Sequence, residues 1–319
     1  MELAFAIVLL GLLFDYTNGF HDAANVVSTV IATRVLLPLS AIVLASCLNL
    51  IGATQVSGVA QTIATGLVDA QETSQTLVLS ALIGAIAWNF LTWYFGLPSS
   101  SSYALIGSLL GASLATNGPE SILWKGVSYQ VFLPMLLSPF IGFFLSLSFM
   151  RFLQRPSFSS KNRLFAHLQI GSASLVALAH GMNDAQKSMG IITLGLFASQ
   201  LIPSTEIPFW VIASCALVMA LGTATGGFRI IKTVGFSITK LSPTQGFAAE
   251  SSASMVILIA SFLGMPISSS HLIAGSVTGV GAARGVSEVR WRTLKKIGIA
   301  WLLTLPGSAL IGAISSLLF

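Results

Sequence analysis

GLPSSSSYALIG, residues Gly96 to Gly107, recurs without a gap as GMPISSSHLIAG, residues Gly264 to Gly275. Six of the twelve positions are identical, among them both glycines, the proline and three serines. A second pair lies upstream in the same order, Gly19-Phe20-His21-Asp22-Ala23 and Gly181-Met182-Asn183-Asp184-Ala185. The offsets of the two pairs, 162 and 168 residues, are nearly equal, so the chain reads as two related halves.

Composition says where those halves reside. Hydrophobic residues make up 54% of the 319 and charged residues 8%, with a mean hydropathy of +0.87. A soluble domain would carry charge at about a quarter of its positions. The expected fold class is therefore an all-α polytopic membrane protein. A span needs about 20 apolar residues, which gives ten candidates over 3–31, 36–58, 75–97, 103–117, 127–150, 166–196, 208–226, 248–264, 271–284 and 297–318. Five spans per half is an odd number, which forces the second half into the membrane upside down. Residues 1–150 are then the first inverted repeat, 151–165 a cytoplasmic linker and 166–319 the second repeat.

The basic residues follow this scheme. Arg34, then Arg151, Arg155, Lys161 and Arg163, then Arg229, Lys232 and Lys240, then Arg284, Arg290, Arg292, Lys295 and Lys296 fall in every second gap. The positive-inside rule makes those gaps cytoplasmic and puts both termini outside. Lys125 alone stands against the pattern. Scattered over loops, the net charge of +5 forms no patch for nucleic acid. The N-terminus has no Lys or Arg before Arg34, unlike a signal peptide. Cys47 and Cys215 lie in apolar runs without metal-ligand spacing and read as buried structural thiols.

Proline removes a backbone donor and disfavours helix at the residue before it. The helices are thus expected to break at Pro98 and Pro266 and to restart at the serines, a re-entrant serine loop in each half. A restarted helix offers free N–H groups and a positive dipole end, with hydroxyls from Ser100, Ser101, Ser102, Ser268, Ser269 and Ser270, and an oxyanion fits there. Interrupted helices at matching positions of inverted repeats mark the binding site of secondary transporters.

Asp22 and Asp184 are ionisable groups at bilayer depth, which need a partner or a wet cavity and are functional candidates by default. On a helix Asp22, Asn25 and Thr29 share a face, and Asp184 and Lys187 repeat the first spacing with Asn183 beside them. Such oxygens suit a hard cation, and a carboxylate can instead carry a proton. His21 is a candidate proton carrier, histidine being the side chain that exchanges a proton near neutral pH. Lys187 either neutralises Asp184 or contacts the anion. Glu250 is either a carboxylate near a helix N-cap or a cation ligand. His180 and His271 flank the motifs without a role, and Asp15 is unassigned. Phosphate at neutral pH still has P–OH donors for the aspartates to accept, whereas sulfate has none, so the pattern leans towards phosphate. No catalytic residue, resident metal or cofactor is expected: an intramembrane hydrolase would single out one serine with a base and an orienting group, not duplicate the serines. A passive anion channel would not need the titratable residues.

These motifs resemble the inorganic phosphate transporter (PiT) family, in a pattern similar to its bacterial low-affinity permease branch. The resemblance runs from residue 11 to 285 and includes the stretch from Gly226-Gly227-Phe228-Arg229 through Pro243 to Gly246-Phe247-Ala248-Ala249-Glu250. It implies phosphate import by cation symport, with Asp22 and Asp184 at the site and the serine loops holding the anion. His21, where sodium-coupled members have asparagine, resembles the proton-coupled branch, thought to accept metal–phosphate complexes. Sodium-coupled phosphate symport and sulfate permeation are the alternatives within the family. Tyr103 departs from the family's histidine, which His271 keeps. The resemblance also implies a homodimer in a bacterial inner membrane.

Overall fold

The computed structural model describes residues 1–156, 162–226 and 228–319. Part of the expected linker, Lys161 included, and Gly227 lie outside the described residues. Among those described there is no strand, only an isolated bridge between Val68 and Ile122. The first half comprises α1 (Glu2–Ala32), α2 (Pro38–Ala53), α3 (Gly58–Thr65), α4 (Gln75–Tyr94), α5 (Ser101–Asn117) and α6 (Trp124–Leu153). The second comprises α7 (Arg163–Ala198), α8 (Phe209–Thr225), α9 (Phe228–Ser237), α10 (Pro243–Phe262), α11 (Ser269–Arg284) and α12 (Trp291–Ser316). Long, medium and short elements follow one another in the same order in both. Even the unusual backbone recurs: Arg34 (φ +59°) follows α1 as Gln200 (φ +57°) follows α7, and Gly96 (φ +63°) ends α4 as Gly264 (φ +67°) ends α10.

Those two glycines, not the prolines, stop the helices. After α4 the Gly96 N–H bonds to the Trp93 carbonyl and the Leu97 N–H to the Thr92 carbonyl, both at 2.9 Å. After α10 Gly264 and Met265 repeat the pattern on Ser261 (3.1 Å) and Ala260 (2.8 Å). This is the left-handed glycine cap, in which proline one or two residues later keeps the helix from resuming. The break expected at Pro98 and Pro266 thus begins two residues earlier.

Five helices, α1, α4, α6, α7 and α12, are long and apolar enough to cross a membrane, and up to seven spans result if the bent pairs α2–α3 (67°) and α8–α9 (70°) each count as one. From the expected ten, α5 and α11 fall short by length, with 17 and 16 residues, and α10 by its polar residues. The physical reason is enclosure: α5 and α11 are buried along most of their length, so protein and not lipid surrounds their serines. The faces of α6 and α12 instead expose Leu136, Phe140, Phe144, Leu302 and Leu310. This is an integral membrane protein with an apolar perimeter and a polar interior. Cys215 is buried as expected; Cys47 is exposed, on the apolar perimeter. Residues 59–65 and 228–237, expected within loops, belong to the short helices α3 and α9.

Small residues let the halves interlock. A Cβ on Gly19 of α1 would lie 2.5 Å from the Met219 carbonyl of α8, and one on Gly181 of α7 would lie 2.2 Å from the Asn49 carbonyl of α2. Each motif helix therefore rests, three residues before its aspartate, directly on backbone of the opposite half.

Candidate functional site

The two aspartates are held by helix starts. Ser100 and Ser268 are the N-caps of α5 and α11, their hydroxyls accepting from the Tyr103 and His271 N–H groups at 3.3 and 3.2 Å. Those two serines are spent on their own helices. Of the next two in each run, at the first helical positions where N–H groups have no intrahelical acceptor, Ser101, Ser102 and Ser270 bond the carboxylates and Ser269 receives Asn25.

Ser101 Oγ lies 2.5 Å from Asp22 Oδ2, and Ser270 Oγ donates to Asp22 Oδ1 at 3.0 Å. Asn25 Nδ2 donates to the same Oδ1 at 3.0 Å, to Ser270 Oγ at 2.8 Å and more weakly to Ser269 Oγ at 3.5 Å. His21 Nδ1 is 3.1 Å from Asp22 Oδ1, and its Nε2 lies 3.3 Å from Thr92 Oγ1 and 3.4 Å from Ser99 Oγ. In the second half Ser102 Oγ donates to Asp184 Oδ1 at 3.3 Å. Lys187 Nζ pairs with Asp184 Oδ1 and donates to Ser102 Oγ at 2.5 Å and to the Ile267 carbonyl at 2.9 Å. Each aspartate is thus bonded by a serine from the other half. All of these groups are buried, Asp22 at 2% exposure and Asp184 at 0%.

Asp184 reaches this position on a π turn, Gly181–Ala185, that widens α7; such turns are frequent at functional sites. Asp22 sits on unbroken α-helix. Ligand atoms of Asp22, Asp184 and His180 lie within 4.8 Å of one another, an arrangement able to share one cation. His180 Nε2 is 3.3 Å from Asp184 Oδ2.

Three expected members lie elsewhere. Thr29 does not look into the space of Asp22 and Asn25: it donates to Glu250 Oε1 at 2.5 Å. Glu250 also receives Gln169 Nε2 at 3.0 Å and Ser172 Oγ at 2.5 Å. Glu250 is not near a helix start either, because Ser242 caps α10 together with Gln245. Seven helical residues at 1.5 Å put this second carboxylate centre about 10 Å along α1 from Asp22. Asn183 turns to the break after α10, donating to Ser261 Oγ and to the Met265 carbonyl, both at 3.1 Å.

Three site residues, Asn18, Thr92 and Ser99, are not singled out by the sequence, and a fourth, His180, is named there without a role. Asn18, one turn before Asp22, receives Ser101 Oγ on its Oδ1 at 2.5 Å and donates to the Asp184 carbonyl at 3.3 Å, tying the two motifs together. His180 stands in the same relation to Asp184, and Thr92 and Ser99 support His21. A polar residue one turn before each aspartate was the available signal.

Buried carboxylates facing paired helix starts inside an apolar bundle are the arrangement of a membrane transporter. The sequence matches the model of the phosphate transporter family over residues 18–163 and 154–312. It is 43% identical to a probable low-affinity inorganic phosphate transporter of Bacillus subtilis (strain 168), over 98% of this chain and 96% of that protein. It is 44% identical to one of the same description from Rhizobium meliloti (strain 1021), over 97% and 94%. A solved structure described as the sodium-dependent phosphate transporter superposes with a TM-score of 0.90 at 26% identity, over 100% of this chain and 99% of that one. The chain belongs to the phosphate transporter family.

Proposed function

We propose that the protein imports inorganic phosphate, free or as a metal–phosphate complex, by symport with protons. One observation carries the reading: Asp22 and Asp184, from opposite halves, each meet a serine at the start of the other half's restarted helix. An anion docked between those starts would find Ser101, Ser102, Ser269 and Ser270 as donors, and the aspartates would accept its P–OH protons. Two buried carboxylates and one ammonium leave a net negative charge that must be neutralised before an anion enters. A cation or proton loaded at Asp22 does this.

The proton is favoured by a hydrogen count. Ser101 Oγ lies 2.5 Å from two acceptors, Asn18 Oδ1 and Asp22 Oδ2, and a hydroxyl has one hydrogen. A proton on Asp22 supplies the second, with His21 at 3.1 Å as the adjoining relay. Sodium is the second reading, supported by the oxygens of Asp22, Asn25 and Ser270 and by the sodium dependence in the name of the structural relative. The membrane arrangement belongs to the same proposal: ten spans in two inverted repeats, 1–150 and 166–319, both termini outside a bacterial inner membrane, in a homodimer. The test is uptake of radiolabelled phosphate into proteoliposomes under a proton gradient and, separately, a sodium gradient, with sulfate as competitor. Proton-driven uptake that sulfate does not inhibit is expected. Sodium-driven uptake moves the cation to Asp22 and Asn25, and strong sulfate inhibition overturns the substrate.

A further inference from the structure

The two halves build the same triangle of side chains around their aspartates, with one chemical difference. In the first, Asn25 Nδ2, Ser270 Oγ and Asp22 Oδ1 are joined by contacts of 3.0, 2.8 and 3.0 Å. In the second, Lys187 Nζ, Ser102 Oγ and Asp184 Oδ1 are joined in the same way. Asn25 and Lys187 share the 162-residue offset of the aspartates, and Ser102 and Ser270 the 168-residue offset of the serine runs. In both triangles the serine comes from the opposite half. The difference is an amide in the first and an ammonium in the second.

The surroundings of that ammonium decide what it does. Lys187 Nζ has three acceptors: the Asp184 carboxylate, the Ser102 hydroxyl and the Ile267 carbonyl. An ammonium has three hydrogens, so none is left for an anion. Carboxylate, hydroxyl and carbonyl oxygens are the ligands that hard cations take. At 1% exposure the side chain is held in place and not offered to water.

We infer that the Lys187 ammonium is a tethered substitute for one coupling cation. It fills beside Asp184 the place that the first half leaves to a loaded cation beside Asp22. The protein therefore carries one cation fewer per phosphate than two matching triangles would. The inference rests on the cation-symport reading above and gives Lys187, assigned there to neither anion nor cation, a part in setting stoichiometry.

The test is the charge moved per phosphate, taken from the membrane potential at which radiolabelled phosphate flux reverses in proteoliposomes holding the wild type, Lys187→Asn or Lys187→Arg. Lys187→Asn makes the second triangle match the first, and its ratio is expected to rise by about one charge, as adding one site to the linkage requires, while Lys187→Arg leaves the ratio at the wild-type value. An unchanged ratio in an active Lys187→Asn overturns the inference. Should that variant bind without transporting, phosphate binding to the purified protein decides. A steeper dependence on the driving cation than in the wild type supports the inference; uniformly weaker binding with unchanged steepness, as expected of a lysine that touches the anion, overturns it. Lys187→Gln takes the place of Lys187→Asn if the latter does not purify as a monodisperse protein. Wild-type uptake indifferent to every cation gradient would instead remove the symport reading, a result separable from all of these.

Discussion

Replacing each aspartate by its amide should separate two residues that the sequence motifs make look equivalent. In Asp184→Asn the Lys187 ammonium loses its carboxylate and keeps only neutral acceptors, the new amide oxygen, Ser102 Oγ and the Ile267 carbonyl. Stranding one partner of a buried ion pair costs about 3–5 kcal/mol, and these neutral acceptors place this case near the lower end, about 3 kcal/mol. Asp22→Asn strands no ammonium. Its neighbours Ser101, Ser270 and Asn25 are neutral, His21 beside it keeps Thr92 and Ser99 as partners, and hydroxyls can reverse to face an amide, so the cost is about 1 kcal/mol, that of one ordinary hydrogen bond. The difference of about 2 kcal/mol corresponds to roughly a thirtyfold change in the unfolding equilibrium. SDS-titration unfolding of the purified proteins, followed by circular dichroism in lipid micelles, reads it directly. Both variants should lose coupled uptake, and Lys187→Met added to Asp184→Asn should recover most of the lost stability without recovering uptake. Equal destabilisation by the two amides, or no recovery in the double variant, would refute the unequal pairing.

The cap and ligand serines should part in kinetics: Ser100→Ala loses about 1 kcal/mol of stability as a missing N-cap with the phosphate KM unchanged, whereas Ser101→Ala and Ser102→Ala raise KM in the uptake assay. Gly181→Ala drives a methyl to 2.2 Å from the Asn49 carbonyl and should destabilise by about 1–3 kcal/mol, the usual range for overpacking, with a lower yield of monodisperse protein. Thr62 Oγ1 donates to the Gly264 carbonyl at 2.7 Å and Thr233 Oγ1 to the Gly96 carbonyl at 3.1 Å, so each short helix fastens the helix break of the other half. Thr62→Val and Thr233→Val should each cost about 1 kcal/mol and change the maximal uptake rate more than the phosphate affinity of the detergent-solubilised protein.

Much of this was legible in the sequence because it is written twice. The paired motifs pointed to the broken helices, to both aspartates and to the serines Ser101, Ser102 and Ser270 that bond them. Periodicity alone could not show that Thr29 belongs with Glu250: a helix face of i, i+3 and i+7 is long enough to serve two centres, and α10 and the start of α7 claim its far end. Nor could it single out Asn18 from the polar string Asp15-Tyr16-Thr17-Asn18, because its partners come from α5 and α7. Proline was credited with stopping α4 and α10 because it is the strongest helix breaker. The glycine two residues before it had already ended each helix, and a left-handed cap depends on backbone bonds that a residue list does not carry. Span counting missed α3 and α9 because eight to ten residues of mixed character look like loop until a surface is present for them to cover.

Where the halves differ at matching positions, the scaffold cannot be the reason. Glu250 on α10 corresponds, by the 168-residue offset, to Leu82 on α4, which is packed in an apolar cluster. One half therefore stands without a carboxylate at this place, while the other buries one fully and surrounds it with donors from Thr29, Gln169 and Ser172. A buried charge is costly even when hydrogen-bonded, and if this carboxylate serves transport and not folding, its neutral isostere should show it. Because its centre is about 10 Å along α1 from Asp22, Glu250→Gln should leave phosphate binding by the purified protein within about twofold, yet lower cation-driven uptake by about tenfold or more, the pattern of a group used in turnover and not in binding. Glu250→Gln with uptake intact would show the carboxylate to be idle. Equal losses in binding and uptake would place it in the phosphate site after all.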